Sequence, residues 1–158
     1  MYNKGDKIVY PMYGAGIVES MENKHIDGEL QSYYVLNIPI GNLTIRISSA
    51  KAKVLSVRPV IHKDKILEEL GGIIGVLIDM PDNWNLRYKE NMDRIKSGEL
   101  SQVAIVFRSL LLRERERGLS TAEKKMMTTT KQIILSELIL SLDVDKHEAE
   151  NILDETFR

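Results

Sequence analysis

Residues 81–98, with the sequence PDNWNLRYKENMDRIKSG, form the segment around which the second half of this chain can be interpreted. Pro81 followed by Asp82 or Asn83 as a side-chain cap is typical of a helix start, and Ser97-Gly98 is typical of a helix end. Between them runs an apolar stripe at intervals of four and three, formed by Tyr88, Met92 and Ile95. The sequence therefore predicts an amphipathic helix whose first turn carries the chain's only tryptophan, Trp84.

Two interpretations of Trp84 follow from this helix, and the sequence leaves both open. The interval from Trp84 to Tyr88 continues the apolar stripe, so the indole would be the first core residue of the helix. Alternatively, the indole projects beyond the helix start beside Arg87 and Lys89. In that position it could wedge against a DNA base step while the cations hold neighbouring phosphates.

Length and composition indicate an ordinary globular protein. The chain has 158 residues, of which 43% are hydrophobic and 28% are charged, and these values fit one domain or two small ones. It contains no cysteine, which excludes disulfides and thiolate chemistry. We find no signal-peptide pattern and no apolar run of the ~18 residues that a membrane span requires. We therefore expect a cytoplasmic protein that does not enter a membrane.

The net charge of −1 hides an uneven distribution of charge along the chain. Residues 84–131 hold eleven Lys and Arg against six Asp and Glu, whereas residues 132–158 hold two against seven. Positive charge is therefore concentrated around Trp84. This asymmetry favours a polyanionic partner, although a helical bundle with one basic flank also arises without any partner.

The first 59 residues predict about five short β-strands separated by turns. Asp27-Gly28 is a strong signal for a two-residue hairpin, because both central positions of the favoured turn need positive φ. A sheet this small hides its edges most easily by curling into a barrel. The predicted strands are Lys7–Tyr10, Ile17–Glu22, Leu30–Ile38, Leu43–Ile47 and Val54–Val57.

From about residue 62 the pattern becomes helical, after a junction near Arg58-Pro59. Ser120–Glu123 is a capping box, which starts a long helix reaching about Ser141. Ile73–Ile78 fits a helix or a strand equally well. The other predicted helices cover His62–Leu70, the Trp84 segment, a segment that begins at Leu100 and ends in the charged run Arg113–Gly118, and the segment from Asp145 onward. The predicted fold class is α+β, with a small N-terminal β-barrel (residues 1–59) followed by a compact all-α domain of about five helices (residues 60–158).

No arrangement of residues in the sequence indicates catalysis or a bound metal. The three histidines, His25, His62 and His147, lie in different predicted elements and lack partners at metal-ligand spacing. Gly14–Gly16 is followed by neither a helix nor a Lys-Ser/Thr pair, so it is typical of a β-turn rather than a phosphate loop. We expect no catalytic residue, no metal and no cofactor.

A basic surface is predicted at the starts of two helices. Arg87 and Lys89 follow the first helix start, and Lys124 and Lys125 follow the capping box. Helix N-termini carry free amides and a partial positive charge, so phosphate is a suitable ligand for both. The alternative is that Lys124 and Lys125 are simply solvated.

A series of short motifs runs through the chain from residue 5 to residue 138. They are GDKIVYP (5–11), GAGIVE (14–19), NW (83–84), RYK (87–89), SG (97–98), RERGLS (115–120), EK (123–124) and SEL (136–138). In order and spacing, they closely resemble the CarD family, also called CdnL, of bacterial transcription regulators. The resemblance implies a Tudor/SH3-like barrel that docks on the lobe of the RNA polymerase β subunit, and a helical domain that lies along promoter DNA.

The resemblance also implies which residues make each contact. Polymerase-contacting positions of the family fall on Lys24, Ile26 and Arg46. DNA-contacting positions fall on Trp84, Arg87, Lys89 and Lys124, with Lys125 adjacent. In the family, the tryptophan wedges into the minor groove at the upstream fork of the melted promoter and slows its collapse.

Two positions depart from the family pattern. Leu86 stands where the family has a DNA-contacting arginine, which removes a phosphate contact. Lys24 also replaces an arginine, which loses the planar fork that holds a carboxylate at two points.

The function predicted from these features is that of a monomeric, non-enzymatic transcription regulator associated with the nucleoid. It would bind RNA polymerase holoenzyme and promoter DNA, largely independently of DNA sequence, and stabilise the open complex at promoters such as those of ribosomal RNA. The alternative is a polymerase-binding adaptor whose helical domain makes only protein contacts.

Overall fold

The computed structural model describes residues 2–76 and 79–158, and its N-terminal part is an antiparallel β-sheet. The strands are β1 (Lys7–Tyr10), β2 (Gly14–Ile26), β3 (Glu29–Ile38), β4 (Leu43–Ser48) and β5 (Arg58–Pro59). They lie side by side in the order β4-β3-β2-β1-β5. The number of strands agrees with the prediction.

The hairpin formed by β2 and β3 is the longest part of the sheet. Asp27 and Gly28 at its turn have φ values of +52° and +80°, which is the positive-φ pair that the sequence predicts. The pairing register shifts at a bulge between Val18 and Ser20. Residues 23–30 are exposed, so the tip of the hairpin projects from the rest of the sheet.

The predicted strand at Val54–Val57 is wrong. The chain instead forms helix α1 (Ser49–Val54), and the last strand of the sheet is β5, which pairs with β1. Ser48 caps α1, because its Oγ accepts a hydrogen bond from Lys51 N at 3.4 Å, and the alanines and lysines that follow favour a helix. Val54 is 84% exposed, so its preference for strands has no buried sheet face to support it.

Five helices follow the sheet within the described residues. They are α2 (Lys63–Gly71), α3 (Trp84–Lys96), α4 (Leu100–Glu116), α5 (Thr121–Leu142) and α6 (Lys146–Thr156). The predicted α+β fold class, a small N-terminal β-barrel followed by a helical domain of about five helices, is therefore confirmed, in the form of a five-stranded antiparallel sheet followed by a helical region. Of the ambiguous segment Ile73–Ile78, residues 73–75 form turns, while Leu77 and Ile78 lie outside the described residues. No helix among those described is both long and apolar enough to cross a membrane.

The chain has two main hydrophobic cores, one inside the sheet and one among the helices. The sheet core contains Ile8, Val18, Tyr34, Leu36, Ile38 and Ile47. The helical core is larger, and its fully buried members include Ile66, Leu70, Ile95, Leu110, Ile134, Leu138 and Leu153. A smaller cluster of Val9, Ala15 and Leu140 joins the two, because Leu140 of α5 packs on β1 and β2.

The contact between β2 and α5 depends on a glycine. Gly14 has φ of +114°, and a Cβ at this position would lie 2.6 Å from Ser136 Oγ. The same hydroxyl accepts a hydrogen bond from Ala15 N at 2.9 Å. Glycine therefore lets the backbone of β2 approach the helix closely enough for this bond.

A buried ion pair completes the junction between the sheet and the helices. Arg58 Nη1 and Nη2 each lie 2.7 Å from a carboxylate oxygen of Glu137, which is 1% exposed. Arg58 Nε donates to Gly98 O at 2.9 Å, and Ile61 N donates to the Glu137 carboxylate at 2.9 Å. Burial disfavours the charged form of Arg58. The hydrogen bond and the negative charge of Glu137 outweigh this effect, so the pKa of Arg58 is raised.

Candidate functional site

The start and end of α3 follow the signals in its sequence. Asn83 caps the helix, with its Oδ1 accepting a hydrogen bond from Leu86 N at 3.1 Å. At the other end, Ser97 is the C-cap and Gly98 has φ of +74°, a conformation that glycine adopts readily. The predicted start and end of this helix are confirmed, with Asn83 rather than Asp82 as the cap, and Trp84, predicted to lie in the first turn, is the first residue of the helix.

Trp84 lies at the edge of the helical domain and not in its core. Its side chain is 43% exposed. The indole stacks on Tyr88, with ring centroids 5.4 Å apart and an angle of 20° between the planes. Its Nε1 donates to Ser120 Oγ at 3.4 Å. The indole thus contacts the apolar stripe of α3 at Tyr88, and part of its surface faces solvent.

Arg87 is buried, which differs from what the resemblance implies for a DNA contact. The residue is 3% exposed. Nε and Nη2 donate to the two carboxylate oxygens of Glu123 at 2.9 and 3.3 Å, and Nη1 donates to Pro81 O and Asp82 O at 3.1 and 3.0 Å. Four of its five N–H groups are therefore engaged. A phosphate could reach this guanidinium only if the ion pair opened, so the placement does not favour Arg87 as a DNA contact.

The capping box at the start of α5 forms in a modified way. Ser120 Oγ accepts a hydrogen bond from Glu123 N at 3.2 Å, as the sequence predicts. In the expected reciprocal bond, the Glu123 carboxylate would accept from Ser120 N. Instead, its Oε1 accepts from Ser120 Oγ at 3.1 Å, and both oxygens face Arg87. The hydrogen bond from Arg87 lowers the pKa of Glu123 against the opposing effect of burial.

Exposed cations lie near the two helix starts. Lys89 on α3, and Lys124 and Lys125 on α5, are all exposed. The contacts of Ser120 and Glu123 with α3 hold the helix starts side by side, so three of the four predicted phosphate-binding cations are accessible there. Leu86 is 48% exposed on the same first turn of α3. The structure therefore brings Trp84, Lys89, Lys124 and Lys125 to one end of the helical domain.

The three residues predicted to contact polymerase lie on one face of the sheet. Glu22, Lys24 and Ile26 are spaced two residues apart along β2, so their side chains share a face. Arg46 on β4 reaches the same face, because its Nε lies 3.1 Å from Glu22 Oε2. This hydrogen bond lowers the pKa of Glu22. Lys24, Ile26 and Arg46 are all exposed, and thus form a mixed apolar and basic surface.

Comparisons with known proteins agree with this architecture. A family model described as "CarD-like/TRCF RID domain" matches residues 2–61, and one described as "CarD, C-terminal domain" matches residues 76–154. A protein of Bacillus subtilis (strain 168) named "Putative transcription factor YdeB" is 38% identical over 142 residues, which cover 87% of this chain and 90% of that protein.

The chain belongs to the CarD family. The resemblance found in the sequence motifs is confirmed, and the family is one of transcription factors. The two family matches lie on either side of residues 62–75. The predicted division at residues 59 and 60, and the roles of the individual site residues, stay predictions.

Sequence reasoning missed the pairing of Arg87 with Glu123 in this CarD-family protein. The capping box identifies Ser120 and Glu123 as a helix start, and nothing in the local pattern links them to Arg87, which lies 36 residues away from Glu123. The one signal in the sequence was that Glu123, an acid, lies within the basic segment of residues 84–131. Within residues 2–76 and 79–158, no group of three or more His, Asp or Glu residues is arranged to hold a metal.

Proposed function

We propose that this CarD-family protein binds the lobe of the RNA polymerase β subunit through residues 1–59 and promoter DNA through residues 60–158, and that it stabilises the open promoter complex. The observation that carries the proposal is the half-exposed indole of Trp84, held at a helix start next to exposed lysines. The protein would act beside the nucleoid in the cytoplasm, without catalysis.

The DNA contact is suited to the upstream edge of melted DNA. Lys89, Lys124 and Lys125 would hold phosphates, with help from the partial positive charge of the two helix starts. Trp84 would insert against a base step in the minor groove, which favours distorted DNA over a regular duplex. A few phosphate contacts give weak DNA binding. The logarithm of its association constant falls by about 0.9 for each tenfold increase in salt, for every phosphate neutralised.

Attachment to polymerase makes this weak contact effective. Lys24, Ile26 and Arg46 provide cations and an exposed apolar side chain on one sheet face, which suits a polar protein surface with acidic groups. The description of the matched N-terminal domain, which groups CarD-like proteins with TRCF, supports a shared partner. Once bound, the protein is held near promoter DNA at a high effective concentration, so sequence-specific DNA recognition is not required.

A second candidate is a polymerase-binding adaptor whose helical domain makes only protein contacts. The burial of Arg87 favours this alternative, because it removes one of the predicted phosphate contacts. The two candidates differ in DNA affinity at low salt. An adaptor should have none, whereas the proposed function requires weak binding that declines as salt rises.

The first test separates polymerase binding from promoter opening in the full-length protein. Arg46→Glu should abolish binding to polymerase and with it the effect on opening, because it places an acid on the proposed contact face. Trp84→Ala should keep polymerase binding and lose most of the effect on opening. Binding is measured by co-purification with polymerase holoenzyme, and opening by permanganate reactivity of the melted promoter.

The matched control for this test is Lys51→Glu, a charge reversal at an exposed residue of α1 outside the proposed contact face. It should leave both measurements unchanged. Equal losses of polymerase binding from Arg46→Glu and Trp84→Ala would contradict the proposed division between the two faces.

A further inference from the structure

Two pairs of residues connect the starts of α3 and α5. Trp84 and Arg87 are one helical turn apart on α3, and Ser120 and Glu123 have the same spacing at the start of α5. The indole Nε1 meets Ser120 Oγ at 3.4 Å, and the Arg87 guanidinium meets both carboxylate oxygens of Glu123 at 2.9 and 3.3 Å. Ser120 Oγ also donates to Glu123 at 3.1 Å, which links the two pairs.

These two connections differ in strength and in burial. The bond between Trp84 and Ser120 is long and exposed, so by itself it would hold the indole weakly. The pair of Arg87 and Glu123 is charged, bidentate and almost completely buried, and such bonds are the stronger and more directional ones. Arg87 also donates to Pro81 O and Asp82 O, which precede the cap of α3. It therefore holds both the helix start and the segment that leads into it.

We propose that Arg87 is a positioning residue, which acts with Glu123 to hold the indole of Trp84 in the pose that inserts into DNA, and that it does not bind phosphate itself. The inference rests on the proposed function of Trp84. It assigns a second task to Glu123, which becomes an acid required on a surface that binds a polyanion.

A direct phosphate contact by Arg87 would conflict with its surroundings. To reach DNA, the guanidinium would have to leave Glu123, and the carboxylate would then remain buried without its partner. The exposed cations Lys89, Lys124 and Lys125 need no such rearrangement. Electrostatics alone predicts that neutralising Glu123 strengthens DNA binding, since a negative charge is removed. The positioning role predicts the opposite, and this difference makes the inference testable.

The experiment measures two quantities on the full-length protein: affinity for a fork-junction promoter DNA as a function of salt, and the fluorescence emission of Trp84, the only tryptophan. The variants are Glu123→Gln, and the double variant Arg87→Met with Glu123→Leu. The double variant replaces the whole ion pair by apolar side chains, a change that buried pairs often tolerate without loss of stability. Polymerase binding is measured in parallel to verify that each variant is folded.

We expect both variants to lose about tenfold in affinity, which corresponds to one base–aromatic contact. Their salt dependence should equal that of the wild type, and the Trp84 emission should shift to longer wavelength as the indole loses its fixed environment. Lys89→Met is the phosphate control and should lower the slope by about 0.9 without moving the emission. Arg94→Met is the matched arginine control, because Arg94 on the same helix bonds Gln102 at 2.7 Å. It should change neither the affinity nor the emission.

Three results would overturn the inference: tighter DNA binding by Glu123→Gln, a salt slope reduced by about 0.9 in the double variant, or unchanged emission in both variants. A different result would reject the proposed function instead, namely that the wild type has no affinity for the fork DNA at low salt. In that case the emission alone decides whether the ion pair positions the indole.

Discussion

At the scale of single residues, the exposed first turn of α3 combines one aromatic and one aliphatic side chain. Trp84 is 43% exposed and Leu86 is 48% exposed. The indole stacks on Tyr88 and bonds Ser120, and the proposed insertion into DNA requires that these contacts and the neighbouring pair of Arg87 and Glu123 together hold it in one direction. Leu86 contributes no charge, although it lies where the family pattern has an arginine. The proposed DNA contact is therefore expected to be weaker than it would be with an arginine at position 86.

Leu86→Arg should strengthen DNA binding by adding one phosphate contact. The slope of the logarithm of the association constant against the logarithm of salt concentration should become steeper by about 0.9. Polymerase binding should be unchanged. Filter binding to promoter DNA over a range of salt concentrations measures this slope. Leu67→Arg is the matched control, since Leu67 is 49% exposed but lies on α2, which contributes none of the predicted DNA contacts. If both variants steepen the slope equally, the effect comes from net charge and the proposed position of DNA is wrong.

At the scale of elements, α5 connects the two candidate contact surfaces. It has 22 residues and is therefore about 33 Å long. Its start bonds α3 through Ser120 and Glu123, while Ser136 and Glu137 in its second half bond β2 and β5. Buried polar contacts at Glu123, Ser136 and Glu137 thus fix the start and the second half of α5. In the proposed function, this arrangement would transmit the position of a polymerase-bound sheet to the end of the helices that carries Trp84.

Arg58→Met should lower the free energy of unfolding by about 3 kcal/mol, because it leaves the buried Glu137 carboxylate without its charged partner. Urea denaturation followed by circular dichroism measures this change. Arg46→Met is the matched comparison, since it removes the exposed pair with Glu22 and should destabilise the protein far less than Arg58→Met does, because solvent screens exposed pairs. If the two variants lose similar amounts of the free energy of unfolding, burial does not make the Arg58 pair more important for stability than the exposed pair.

The elements differ in how well local sequence predicts them. The turn at Asp27-Gly28 and the start of α3 were predictable, because glycine and the cap at Asn83 determine backbone conformation within a few residues. The strand predicted at Val54–Val57 was wrong, since these residues have strand propensity but Val54 and Leu55 are exposed. The pair of Arg87 and Glu123 was missed for another reason: it depends on how α3 and α5 pack, and a basic residue beside a tryptophan resembles a DNA contact until its burial is known.

At the scale of the whole molecule, the exposed sheet face and the Trp84 end of the helices belong to one continuously packed structure. The buried pair of Arg58 and Glu137 and the contact of Gly14 with Ser136 connect the sheet to the helices. Under the proposed function, a protein built in this way uses polymerase binding to direct a weak DNA contact to one place on the promoter. Its effect on transcription should then depend on how long the melted DNA persists.

The lifetime of the open complex tests this account most directly. Open complexes of cognate polymerase holoenzyme on a ribosomal RNA promoter are challenged with a competitor, and their decay is compared without protein, with wild type and with Trp84→Ala. Tyr13→Ala, which removes another exposed aromatic, serves as the control. We predict that the wild type and Tyr13→Ala lengthen the lifetime and that Trp84→Ala does not. If Trp84→Ala lengthens the lifetime as much as the wild type does, the indole is not the wedge and the central claim is wrong.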